Sequence, residues 1–169
     1  MKERNAVLAT YLAVLAFALV WTAGIFLAPC LRSRSSHWAA WVYAAYAPVC
    51  HQIPSRSFFL RDCPLAVCGR CLGIYAGFLC GTILYPLVRG FRPPPLPETR
   101  IFILATAPIG LDTLMNFIHL YGSPNGLRLA TGIIWGLILP FYLIGGLADF
   151  LIRAGSRSRG PESSRGGIA

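Results

Sequence analysis

AVLATYLAVLAFALVWTAGIFLAP, residues 6–29, contains no charged residue. A helix of about 20 apolar residues spans the hydrocarbon core of a bilayer, and in lipid a helix satisfies its own backbone polar groups. The run therefore reads as a transmembrane helix. Lys2 and Arg4 precede it, as basic residues precede a secretory signal. The apolar stretch is longer than the roughly 7–15 residues of a signal core, however, and Pro29 stands where a small residue should precede the cut. A permanent helix is expected, with the N-terminus left on the side where it was made.

Outward from this stretch the composition agrees. Hydrophobic residues make up 56% of the chain and charged residues 12%, with a mean hydropathy of +0.60, whereas soluble domains carry about 25% charged residues. Three more apolar runs cover about 72–88, 101–120 and 129–152. None alternates apolar with polar residues as a barrel strand would. The expected fold is an all-α integral membrane protein: about four transmembrane helices in one bundle over residues 1–152, with a cysteine-rich first loop at 48–71.

Lys and Arg set the expected orientation. Nine lie in the N-terminal tail, the second connection and the C-terminal tail, against six in the first and third loops. Both termini are expected in the cytoplasm of a multi-pass cell-membrane protein, with the cysteine-rich loop outside. The connection RGFRPPPLPETR (89–100) reads as an extended spacer. The basic tail 153–169 reads as disordered, able to touch anionic lipid headgroups. The net charge of +9 is spread over both faces without a basic and aromatic stripe, which argues against a nucleic-acid partner. HWAAWVYAAYAPV (37–49) carries Trp38, Trp41, Tyr43 and Tyr46. It reads as an interfacial or re-entrant helix, or as a loop with aromatic anchors.

Gly73, Gly77 and Gly81 recur every four residues, as do Gly132 and Gly136. That spacing lines one helical face and lets backbones approach closely, so these glycines are expected to build the bundle. Asp112 falls near the middle of the third run, with Asn116 and His119 following on the same face. An ionisable group at that depth is costly and must face partners or water. Both a functional role and a structural hydrogen bond, to Arg128 or Asn125, fit.

CHQIPSRSFFLRDCPLAVCGRC (50–71) gathers Cys50, His51, Cys63, Cys68 and Cys71. Zinc takes four thiolate or imidazole ligands and commonly a CxxC pair, because that turn aims two sulfurs at one point. Cys68 and Cys71 supply the pair, and Cys50, His51 and Cys63 are candidates for the remaining places. With four protein ligands the metal is structural; with three it can activate water. Arg56 and Arg70 offer anion contacts, and Asp112, His119 and Arg70 are the catalytic candidates if the site is an enzyme's, acting on a lipid headgroup or phosphate.

The pattern CHQIPSRSFF, then VCGRCLGIYAGF, an aspartate in the third helix and NGLRLATG before the fourth resembles a domain-of-unknown-function family of small prokaryotic integral membrane proteins. The resemblance spans about 48–140 and implies a helix bundle without an established activity. The family commonly has a histidine where this chain has Cys63, an exchange that a zinc position tolerates. The competing reading is redox. CGRC opens the second helix, where the helix N-terminus and Arg70 favour thiolate, and the arrangement resembles quinone-linked membrane thiol oxidoreductases. Those carry a second cysteine pair in the second outer loop, and residues 121–128 contain none. Structural disulfides are the third reading.

Overall fold

A computed structural model describes residues 2–91 and 98–157. The elements run α1 (Lys2–Arg32), α2 (Trp38–Tyr46), β1 (Ser57–Leu60), β2 (Cys63–Cys68), α3 (Gly69–Arg89), α4 (Thr99–Phe117) and α5 (Asn125–Arg157). The chain folds as an all-α membrane protein carrying one small hairpin. By length and composition, α1, α3 and α5 can each cross a membrane. At 1.5 Å per residue, α3 is about 32 Å long, matching a hydrocarbon core of about 30 Å. The outward-facing side chains suit lipid: Val20, Leu87 and Phe117 are 74%, 81% and 80% exposed.

The centre of the bundle is the parallel pair α3 and α5. A Cβ on Gly73, Gly77 or Gly81 would press into the backbone of Leu129, Ile133 or Leu137 respectively. Gly132 and Gly136 answer from α5, against the backbone at Arg70 and Ile74. Side chains at these five positions would force the helices apart, so the glycines here are spacing devices. Each contact on α3 meets α5 at the same sequence offset, which fixes the two helices in parallel and in register. Thr82, Tyr85 and Ile144 are buried below, with Tyr11 of α1 stacked on Tyr85.

Because α3 and α5 run the same way, the chain between them must return to the starting end, and α4 does so. It lies antiparallel on α5: the Tyr142 hydroxyl donates to the Glu98 carbonyl at 2.8 Å, Trp135 Nε1 to Thr106 Oγ1 at 3.0 Å, and Arg128 Nη2 to Asn116 Oδ1 at 3.1 Å. This helix occupies the expected third span but is shorter, and it is not among the three spanning candidates. It stops at Phe117. The Leu120 N–H bonds back to the Met115 carbonyl at 3.1 Å while His119 takes a left-handed φ of 55°, which closes a helix C-terminus. At the other end of the chain, α5 continues past residue 152 to Arg157, supported by an Arg153 Nε bond to Asp149 Oδ1 at 3.0 Å. The rest of the expected tail, 158–169, and the proline-rich 92–97 lie outside the described residues.

The cysteine-rich loop is ordered structure. Leu60 pairs with Cys63 across Arg61 and Asp62, whose φ values are 53° and 59°. Two consecutive left-handed residues make the tight hairpin turn that matches strand twist. Leu65, Ala66 and Val67 of β2 are buried with Ile25 and Ala28 of α1 and Tyr46 of α2. The hairpin thus docks on the end of α1, and α2 packs alongside it.

Candidate metal centre

β2 runs into α3 without a loop. Cys68 ends the strand with extended backbone and is also the N-cap of the helix, and Cys71 follows in the first turn. Cys50 arrives from the other side, its N–H bonded to the Tyr46 carbonyl at 3.0 Å as α2 closes. Tyr46 is fixed in turn by its hydroxyl, which donates to the Trp21 carbonyl of α1 at 2.6 Å. Gln52, in a left-handed turn with φ 51°, donates Nε2 to the Tyr43 carbonyl at 2.7 Å and to the Ala66 carbonyl at 2.9 Å. That one side chain ties α2 to β2 and holds Cys50 over the strand end.

The three sulfur atoms of Cys50, Cys68 and Cys71 lie within 4.8 Å of one another, an arrangement that can hold a metal ion. Cys50 is buried, and the other two are half-buried. The Cys68 N–H donates to Cys50 Sγ at 3.1 Å. Hydrogen bonds from the Cys50 and Cys71 side chains hold the Cys68 thiol far below its ordinary range, against the opposing effect of burial. The N-terminal end of a helix favours the same ionised form.

Two members of the expected ligand set stand apart. Cys63 begins β2, and five residue steps at about 3.3 Å carry it roughly 16 Å from Cys68. No common ion reaches both. His51 is exposed and lines the same cavity as the three cysteines without joining their sulfur cluster. That cavity has a volume of about 290 Å³ and is walled by Gln52, Arg56 and Arg70 besides His51 and the cysteines.

Arg70, between the paired cysteines, reaches to α4. Its Nη2 forms an ion pair with Asp112 Oδ2. Asp112 is 4% exposed, and its other oxygen accepts from the Ser123 hydroxyl and, at 2.7 Å, from the Tyr121 hydroxyl. Asn116 bonds Ser123, and its Oδ1 accepts from Arg128. Asp112 thus belongs near the cysteine end of the bundle, about 8 Å of helix from the end of α4, and not at mid-depth. The expected bond to Arg128 runs through Asn116, and Asn125 bonds the Ser57 carbonyl instead, at 3.4 Å. His119 leaves the face it was expected to share, because the helix ends before it; the side chain is exposed. Gln52, Tyr121 and Ser123 were not anticipated. Their types carry no signal of their own, and only the fold brings them to these sites.

Residues 50–142 match a family model described as "Predicted membrane protein (DUF2085)". The uncharacterized protein MJ1492 of Methanocaldococcus jannaschii is 39% identical over 140 residues, covering 79% of this chain and 90% of that protein. No solved structure matches.

Proposed function

The chain belongs to the DUF2085 family of predicted membrane proteins, and on that premise we propose that it is a multi-pass protein of the cell membrane whose outward-facing centre binds one zinc ion through Cys50, Cys68 and Cys71. The observation that carries this reading is the convergence of three sulfurs within 4.8 Å. Two Zn–S bonds of about 2.3 Å at a tetrahedral angle set sulfurs roughly 3.8 Å apart, so the cluster needs to contract by no more than about 1 Å. Three soft donors favour zinc over harder cations. Cys50 binds from the end of α2 and Cys68 and Cys71 from the strand–helix junction, so the ion would staple three elements of the outer face. The fourth position looks into the cavity, where His51 or a solvent oxygen completes it. With an oxygen there, the ion would supply Lewis acidity.

The antiparallel course of α4 supports four crossings and termini on one side. The arginine bias favours the cytoplasm for that side, and the exposed Trp38 and Trp41 of α2 suit the lipid–water boundary.

A second reading is thiol–disulfide exchange through Cys68 and Cys71, favoured by the depressed pKa of Cys68. Metal analysis and thiol counting on protein purified without oxygen separate the two. About one zinc per chain with protected thiols is the expected result. Metal-free protein with a reversible Cys68–Cys71 disulfide would sink the zinc reading.

A further inference from the structure

Resting on the zinc reading, we propose that the cavity beside the three sulfurs is a binding site for a phosphate-type oxyanion, held by Arg56 and Arg70 at the open side of the metal. The first ground is the lining. Arg56, Arg70 and His51 face this cavity with Gln52, and no carboxylate lines it. It also abuts the N-terminus of α3, where partial positive charge gathers.

The second ground is charge. Arg128, 6% exposed, lies within electrostatic reach of Arg56, Arg70, Asp112 and Cys68. Among the described residues, the ion pair at this end of the molecule is Arg70 with Asp112. Zinc with three thiolates carries a net charge of −1. Three guanidiniums set against that centre and one carboxylate leave a positive charge unanswered. The Arg56 residue is exposed, its side chain makes no hydrogen bond or ion pair with the described residues, and Arg70 Nε and Arg128 Nε are buried without a partner.

The third ground is geometry. With a solvent oxygen and not His51 at the fourth position, an anion here has three cationic partners: the metal, by displacing that oxygen, and two guanidiniums. A phosphate group offers an oxygen to each, whereas a carboxylate has only two. The cavity volume of about 290 Å³ lies at the lower end of small-ligand pockets, about 300–1,000 Å³. It is large enough for a phosphate head. A phosphomonoester lipid headgroup, as in phosphatidic acid, and free phosphate share this chemistry.

The test uses the full chain in phosphatidylcholine nanodiscs, loaded with zinc for calorimetry or with cobalt for its visible spectrum. Metal content is measured on every sample. Inorganic phosphate is titrated in one arm, and nanodiscs containing phosphatidic acid are compared in the other. Either probe is expected to shift the cobalt bands. Arg56→Gln should weaken binding about tenfold or more, the scale of one lost charge-assisted hydrogen bond, with metal content unchanged. Arg61→Asn, which removes a nearby charge outside the cavity, should bind like the parent. A response confined to phosphatidic acid assigns the site to a lipid headgroup, and one to phosphate alone assigns it to the free ion. Full metal content with no response to either probe, or Arg56→Gln binding like the parent, overturns the proposal and leaves zinc standing. Protein without metal overturns the zinc reading and this one with it.

Discussion

Replacing Asp112 by Asn tests whether the Arg70–Asp112 pair fastens α4 to the cysteine end of the bundle. The amide oxygen can still accept from Tyr121 and Ser123, so the change falls on Arg70, which then faces an NH₂ donor instead of a carboxylate. Breaking a fully buried pair costs about 3–5 kcal/mol, and losing a hydrogen bond to a charged group about 1.5–3 kcal/mol. The Asp112 side chain is 3% exposed but that of Arg70 is 22% exposed, so water can partly recover the orphaned guanidinium. The cost should therefore fall near 2 kcal/mol. For a chain of this size that lowers Tm by about 4–8 °C. Thermal unfolding in detergent micelles measures it, alongside Arg70→Gln and the double variant. The two changes should be strongly non-additive, with a coupling above about 1 kcal/mol. A Tm for Asp112→Asn within 1 °C of the parent (a limit set well inside the range of about 4–8 °C), or additive losses, would refute the assignment.

Cys50→Ser, Cys68→Ser and Cys71→Ser should each lose bound zinc while Cys63→Ser keeps it, as read by elemental analysis of anaerobically purified protein. Gly77→Ala should cost about 1–3 kcal/mol by pressing a methyl group into the Ile133 backbone. Gly110→Ala meets nothing within 4 Å and should gain about 0.5–1 kcal/mol of helix stability; unfolding in mixed micelles compares the two. The double change Arg61→Asn with Asp62→Gly places residues suited to φ > 0 in the hairpin turn. It should raise Tm by a few degrees in a thermal melt, and a fall would mean that the turn is misassigned.

Much of the bundle was legible because lipid imposes length and charge rules that a sequence displays directly. The uncharged run at 6–29 and the four-residue spacing of Gly73, Gly77 and Gly81 each depend on one helix alone. Their partners do not: nothing in the glycine spacing names Leu129, Ile133 and Leu137. The hairpin escaped notice because Arg61–Asp62 is not the Asn-Gly or Asp-Gly pair that announces such a turn. That omission also explains the expectation for Cys63, since sequence proximity suggests a shared ion until the residues between are seen to be extended. The Arg70–Asp112 pair joins residues on two different helices, and its existence depended on α4 lying against α5 with its last turns at the cysteine end, within reach of Arg70. A buried aspartate declares that it needs a partner without saying which.

The in-register contact of α3 with α5 limits how the length of this chain can drift. One residue inserted between Gly73 and Gly81 would turn the following glycine about 100° away and bring a side chain against a backbone with no room for a Cβ. A matching insertion in α5 would not repair it unless it fell at the same level. Length changes are therefore kept out of the packed stretches 73–81 and 129–137 and left to the connections and the outer ends of the helices. Relatives that differ in length should place their gaps there, and an ungapped stretch from Cys68 to Tyr85 would identify the same parallel pair in them.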